Sequence, residues 1–341
     1  MNKNTNIISY PIKTRESNIE LLRIVAMFMV MILHIILGLE KPSLSQSNHL
    51  YVIARQFFEF FAIGSVNTFV LITGWFGLKP SINRLSSFIF QCIFFTWGIF
   101  LIMTSLGISE FTFKSLDSNL FVRSWFIQAY LILYILSPAL NLVIERGGKK
   151  KHLYMLLGLM TMEVIYDFCG NEKIFGCGYS GMHFVILYLL AQYIRKYEIW
   201  SVIEKHALLW FCVTVIALTF LRYWLIVHGY SEIQRISNYS SPFIIFTGLC
   251  LLLGFRKFRI QNRIINWLAS SSFGVYLLHT NPLILVPIYI YNANIIFEKY
   301  NGMLYLLVIS GYMTIWFIIS VIIDKFRIWT WNYISPKFFK E

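Results

Sequence analysis

Ten apolar stretches, each of a length suited to crossing roughly 30 Å of hydrocarbon, recur from one end of this chain to the other, with only short polar segments between them. They run approximately over residues 18–39, 57–78, 85–107, 120–144, 152–168, 179–195, 206–228, 240–255, 266–291 and 303–325. In lipid every backbone amide and carbonyl must be satisfied internally, so stretches of this length read as helices rather than strands. The prediction is an all-α polytopic membrane protein with about ten transmembrane helices and no soluble domain. Hydrophobic residues make up 57% of the sequence and charged residues 13%, more apolar surface than a soluble core of this size needs. The fifth, sixth and eighth stretches are the shortest, and the fifth contains Glu163 and Asp167.

Charge placement tests that count independently. With a cytoplasmic amino terminus, 20 of the 29 basic residues fall in inner segments, among them Lys79, Arg84, Lys149, Arg195, Arg256 and Lys325, and 7 fall outside. The outer ones are Lys41, Arg55, Lys114, Arg123, Lys173, Arg235 and Lys299, while Arg23 and Arg222 lie within spans. This is the positive-inside pattern, and an error of one span would scramble it. The net charge of +13 therefore reports topology and attraction to membrane lipid headgroups, and calls for no nucleic acid.

Residues 1–341 read as a single integral-membrane domain, with 1–17 a cytoplasmic amino-terminal segment and 326–341 a cytoplasmic tail. The first apolar stretch is too long for a secretory signal and no small-residue cleavage pattern follows it, so it is expected to stay as a span. With no long loop to carry a catalytic module, any chemistry must be done between helices. The five cysteines lack metal-ligand spacing and no metal is expected; Cys169 and Cys177 sit close enough in one outer loop to pair, or to stay free.

Within the first stretch, Arg23 and His34 stand eleven positions apart, three turns of helix, so both project from one face about 16 Å apart. Glu20 shares that face. A cation and an imidazole inside a span are costly in hydrocarbon and mark a functional site by default. Their separation suits one elongated ligand lying along the helix. The bland readings are an arginine snorkelling to the headgroups and a histidine bonding a neighbouring helix. Arg222, deep in the seventh stretch, calls for a partner such as Glu163 or Asp167, while Glu59 and Asp324 read as interfacial. Gly74, Gly77 and Gly274 predict close helix approach, and Pro282 and Pro287 predict a bend in the ninth span.

The segment Asn18-Ile-Glu-Leu-Leu-Arg23, followed after ten residues by His34, resembles the first span of the membrane-integral acyltransferase family 3. Further segments resemble that family's later spans in the same order: Asn67 to Phe76, with Thr73 where serine is commoner; Ser124-Trp125-Phe126 with Pro138; and Ser272 to Pro282, in which Thr280 and Asn281 replace acidic or amide residues. His183 to Tyr188, with Tyr193 to Tyr197, resembles the branch that modifies bacterial surface polysaccharides.

The resemblance implies transfer of an acetyl group from cytosolic acetyl-CoA to a sugar hydroxyl of a capsular, cell-wall or lipid-linked polysaccharide at the plasma membrane. It leads to named roles. Arg23, with Arg84 and Lys79, would hold the donor's phosphates. His34 would act as general base or carry the acetyl group itself. Asn67 would face the developing oxyanion. Glu20, His183 and His279 would support these groups, and the ending at Glu341 implies no appended esterase-like domain. The competing classes are a glycan or lipid-linked sugar transporter and a non-catalytic subunit of a polysaccharide assembly complex. Assembly as a homodimer is left open.

Overall fold

The computed structural model describes residues 15–39, 49–110, 124–170, 174–199, 201–230 and 234–338. Of the basic residues used to orient the chain, Lys3, Lys13, Lys41, Lys114, Arg123, Lys173 and Lys340 lie outside these. Among the described residues the chain is helical with no strand. The helices are α1 (Ser17–Gly38), α2 (His49–Ile63), α3 (Ser65–Phe76), α4 (Ile82–Ser105), α5 (Trp125–Arg146), α6 (Gly148–Glu163), α7 (Gly181–Tyr197), α8 (Ala207–Val227), α9 (Pro242–Arg256), α10 (Arg263–Ala269), α11 (Ser272–His279), α12 (Tyr291–Lys299) and α13 (Gly302–Phe338).

Every apolar stretch became helix, but the count of ten needs correction. Among the described residues, 7 segments are long and apolar enough to cross a membrane, or 8 if the bent pair Arg263–His279 and Pro282–Lys299 is one span. The two that fall short are α6, whose region is made polar by Lys149–Lys151, His152, Glu163 and Asp167, and α7, with only 17 residues. The bend in the ninth stretch is 65°, at Thr280–Asn281 just before Pro282, and a π-helix, Leu285–Ile290, spans Pro287. The last helix continues through residues expected to be tail, reaching Phe338. Cys169 and Cys177 are not joined to each other, so the optional disulfide is not formed.

The ends of α1 explain why its polar residues are buried. Asn18 Nδ2 donates to the carbonyls of Phe255 (3.2 Å) and Arg256 (3.1 Å), two last-turn carbonyls of α9 that lack an amide four residues on. At the far end Arg55 Nη1 donates to Leu39 O at 3.1 Å, closing α1 with a positive group. The arginine expected in an outer loop is thus buried against a helix terminus.

Helices α3 and α7 pack intimately and run parallel, since Asn67 meets His183 near one end and Trp75 meets Arg195 at the other. Gly74 makes the approach possible: a Cβ there would lie 2.8 Å from Ala191 Cβ and 3.0 Å from Tyr188 O. Gly74→Val should therefore destabilise the protein by about 1–3 kcal/mol through overpacking. A thermal melt of the detergent-solubilised protein tests this, and an unchanged midpoint would contradict the packing described.

Candidate active site

One end of the bundle gathers arginines and aromatic rings in alternation. The guanidinium of Arg23 lies 5.9 Å from the Phe76 ring centroid, and Arg195 lies 5.8 Å from the same ring and 5.5 Å from Trp75. Arg256 lies 5.2 Å from Trp75. Three guanidiniums are thereby spaced by two rings, each contact attractive through the ring quadrupole. Arg23 Nη1 also reaches both carboxylate oxygens of Glu20 at 3.3 Å, and Arg256 Nε meets Glu204 Oε1 at 3.5 Å. Arg195 donates to Trp75 O.

Beside this stack lies a cavity of about 430 Å³ lined in part by Phe76, Lys79, Glu145, Gln192, Arg195 and Lys196. Its wall is fixed by the segment after α3. Gly77 ends that helix at φ 75°, Leu78 N donates to Tyr188 Oη at 3.1 Å, and Asn141 Nδ2 donates to Leu78 O at 2.8 Å. Of the predicted phosphate-binding residues, Lys79 lines the cavity, and Arg23 adjoins it across Phe76. Arg84 is exposed and donates to Lys79 O at 2.9 Å.

His34 is half-buried, and its Nδ1 lies 3.2 Å from His279 Nε2. His279 Nδ1 lies 2.6 Å from the carbonyl of Val275, which can only accept, so that nitrogen carries the proton. In the neutral ring His279 Nε2 is then an acceptor, and His34 Nδ1 must donate to it. The consequence is that the lone pair of His34 is on Nε2, pointing away from the pair. His279 thus favours the tautomer of His34 with the proton on Nδ1.

A second buried group joins three helices. His183 Nδ1 lies 2.8 Å from Glu163 Oε1 and His183 Nε2 3.1 Å from Asn67 Oδ1, while Asn67 Nδ2 donates to Tyr239 O at 2.9 Å. The Tyr239 carbonyl fixes the orientation of the Asn67 amide, so Asn67 Oδ1 accepts from His183 Nε2. One further proton is then shared between His183 Nδ1 and Glu163, leaving the pair neutral overall. Asn67 is thus joined to His183, and His34 to His279, in two separate hydrogen-bonded groups. Both groups lie at one depth: His34 is eleven residues from Arg23, about 16 Å, and His183 twelve from Arg195, about 18 Å, and both arginines flank Phe76.

One expectation is corrected. Glu163 and Asp167 do not partner Arg222: Glu163 is taken by His183, Asp167 by the amides of Phe175 and Cys177, and Arg222 Nη1 donates to Ser237 Oγ at 3.2 Å. Asp324, expected at an interface, is enclosed by protein there, 0% exposed. Its Oδ1 accepts from Gln91 Nε2 (2.9 Å) and from Arg327 Nε (3.0 Å) and Nη2 (2.7 Å), and it packs on Gly274, where a Cβ would fall 2.8 Å from Asp324 Cβ. Among the described residues no group of three or more His, Cys, Asp or Glu side chains could hold a metal ion.

These arrangements fit transfer chemistry inside a membrane: a cationic mouth, and a histidine with a free lone pair part-way across. No curated protein and no solved structure matches the chain. A family model described as an acyltransferase domain matches residues 16–325, nearly the whole length, and the chain belongs to acyltransferase family 3.

Proposed function

We propose that this membrane acyltransferase moves an acetyl group from acetyl-CoA to a sugar hydroxyl of a capsular, cell-wall or lipid-linked polysaccharide. The observation that carries the reading is the histidine pair, in which His279 leaves the Nε2 lone pair of His34 free on the helix that also bears Arg23. In this reading the basic end faces the cytoplasm of a plasma membrane. Lys79, Arg195 and Lys196 in the cavity, with Arg23 at its rim, hold the donor's phosphates, and the pantetheine arm extends along α1 toward His34.

The acceptor hydroxyl gives its proton to His34 Nε2 as its oxygen attacks the thioester carbonyl carbon. When the carbon–sulfur bond breaks, the departing thiolate takes that proton back from the imidazolium, leaving CoA thiol and the sugar ester.

Purified protein in proteoliposomes, given radiolabelled acetyl-CoA and glycan from source cells lacking the protein, should move label onto the glycan in alkali-labile ester linkage. Absence of labelled glycan would discard the proposal. Arg195→Ala should raise the KM for acetyl-CoA by about tenfold, as expected for losing a charge-assisted phosphate contact. An unchanged donor KM would remove Arg195 from the donor site.

A further inference from the structure

Away from the basic end, the segment leading into α7 is held in an unusual backbone conformation. Gly176, Cys177 and Gly178 are three successive residues with positive φ, at 64°, 57° and 89°. For Cys177, which has a Cβ, the left-handed region costs roughly 1–2 kcal/mol. Two contacts hold it there. The Asp167 carboxylate accepts from Phe175 N at 2.9 Å and from Cys177 N at 2.7 Å. From the other side Gly178 presses on the chain at Tyr239, where a Cβ would lie 2.5 Å from Tyr239 Cβ and 2.7 Å from Ser240 N. Strain that the surroundings maintain in this way clusters at functional sites.

What the segment presents is Tyr179, 49% exposed. Its ring centroid is 4.5 Å from that of Trp125, edge to face, and 4.9 Å from that of Tyr239; Trp125 stacks on Tyr239 at 5.5 Å and 26°. Next along the chain, the hydroxyls of Ser240 and Ser241 are buried with no hydrogen-bond partner, a condition that costs free energy unless a ligand or water relieves it. Ring contacts then run inward without a gap, from Trp125 to Phe126 (5.9 Å), Tyr276 (5.3 Å), His279 (6.2 Å) and His34 (5.1 Å).

We propose that Tyr179 and Trp125, backed by the buried ring of Tyr239, form the acceptor subsite, taking a neutral pyranose ring of the glycan against their accessible surface. This rests on the acetyl-transfer reading above. A pyranose offers one face of C–H bonds and a rim of hydroxyls. Stacked aromatic rings match the face, and phenol and serine hydroxyls match the rim, whereas an acyl chain would gain nothing from the hydroxyls. The ring contacts place this subsite against the packed groups that hold His279 and His34.

The test uses the full chain in proteoliposomes with radiolabelled acetyl-CoA and the glycan from source cells lacking the protein. Tyr179→Ala, at a half-exposed position, should raise the KM for glycan by about tenfold while kcat at saturating glycan falls less than about threefold. Trp125→Ala should act in the same sense, and Tyr179→Phe, which keeps the ring but loses the hydroxyl, should recover most of the loss in KM. A glycan KM within about twofold of wild type in Tyr179→Ala, or a fall in kcat with KM unmoved, would overturn the subsite while leaving the transfer reading intact. If the wild-type chain puts no label on glycan, the reading beneath fails and the subsite with it.

Discussion

Replacing His34 by alanine is expected to lower the rate of acetyl transfer by roughly 10²- to 10⁴-fold, the range that a positioned general base contributes. The expectation follows from the proton count in the histidine pair. Because the Val275 carbonyl obliges His279 Nδ1 to donate, the acceptor nitrogen of His34 is the one facing away from its partner. His279→Ala should cause a smaller loss, since the base remains and keeps its backbone contact at Val30 but loses its ring partner. Single-turnover rates with radiolabelled acetyl-CoA, on protein shown by gel filtration to be folded, measure both. A His34→Ala variant that transfers acetyl at the wild-type rate would remove this ring from the chemistry.

The second large effect concerns stability. His183 and Glu163 are 0% and 1% exposed and share one proton, so removing either leaves a buried polar group without its partner. Glu163→Leu should cost about 3–5 kcal/mol, the range for breaking a buried pair. Glu163→Gln should cost far less, because an amide N–H donates to His183 Nδ1 and leaves Nε2–H free to serve Asn67 Oδ1. Unfolding in mixed detergent micelles compares the two. Equal losses would mean that the charge, rather than the hydrogen bond, holds these helices together.

The helical plan was legible because lipid leaves the backbone few options; the apolar stretches became helix, although the second begins at His49, the ninth bends before Pro282 and the last runs on to Phe338. Its exact span count was not, since α6 and the turn after it carry Glu163, Asp167 and a run of lysines, and α7 is short; Glu163 is satisfied by His183 and Asp167 by loop amides, which hydropathy does not register. Arg23 and His34 were readable because they share one helix face. Their environment was not. His279 meets His34 across 245 positions and Asn67 meets His183 across 116, distances that only tertiary packing closes. Asp324 gave no sign of its partners from its place near the end of an apolar stretch: Arg327 neutralises it and Gln91 donates to it inside the protein. Trp125, Tyr179 and Tyr239 were hidden for another reason: aromatic residues near span ends are what a membrane interface also selects. The left-handed run at 176–178 carries a faint signal in its Gly-Cys-Gly sequence, visible only afterwards.

The alternation of Arg23, Phe76, Arg195, Trp75 and Arg256 has an electrostatic consequence of its own. Guanidinium stays protonated at every pH a cell reaches, so this cluster is a fixed attractor that acidification cannot switch off. Added salt can weaken it where it meets water, because mobile ions shield exposed charge within about 10 Å at 0.1 M. A polyanion drawn to this mouth would therefore respond to the ionic strength of the adjoining compartment rather than to its proton concentration.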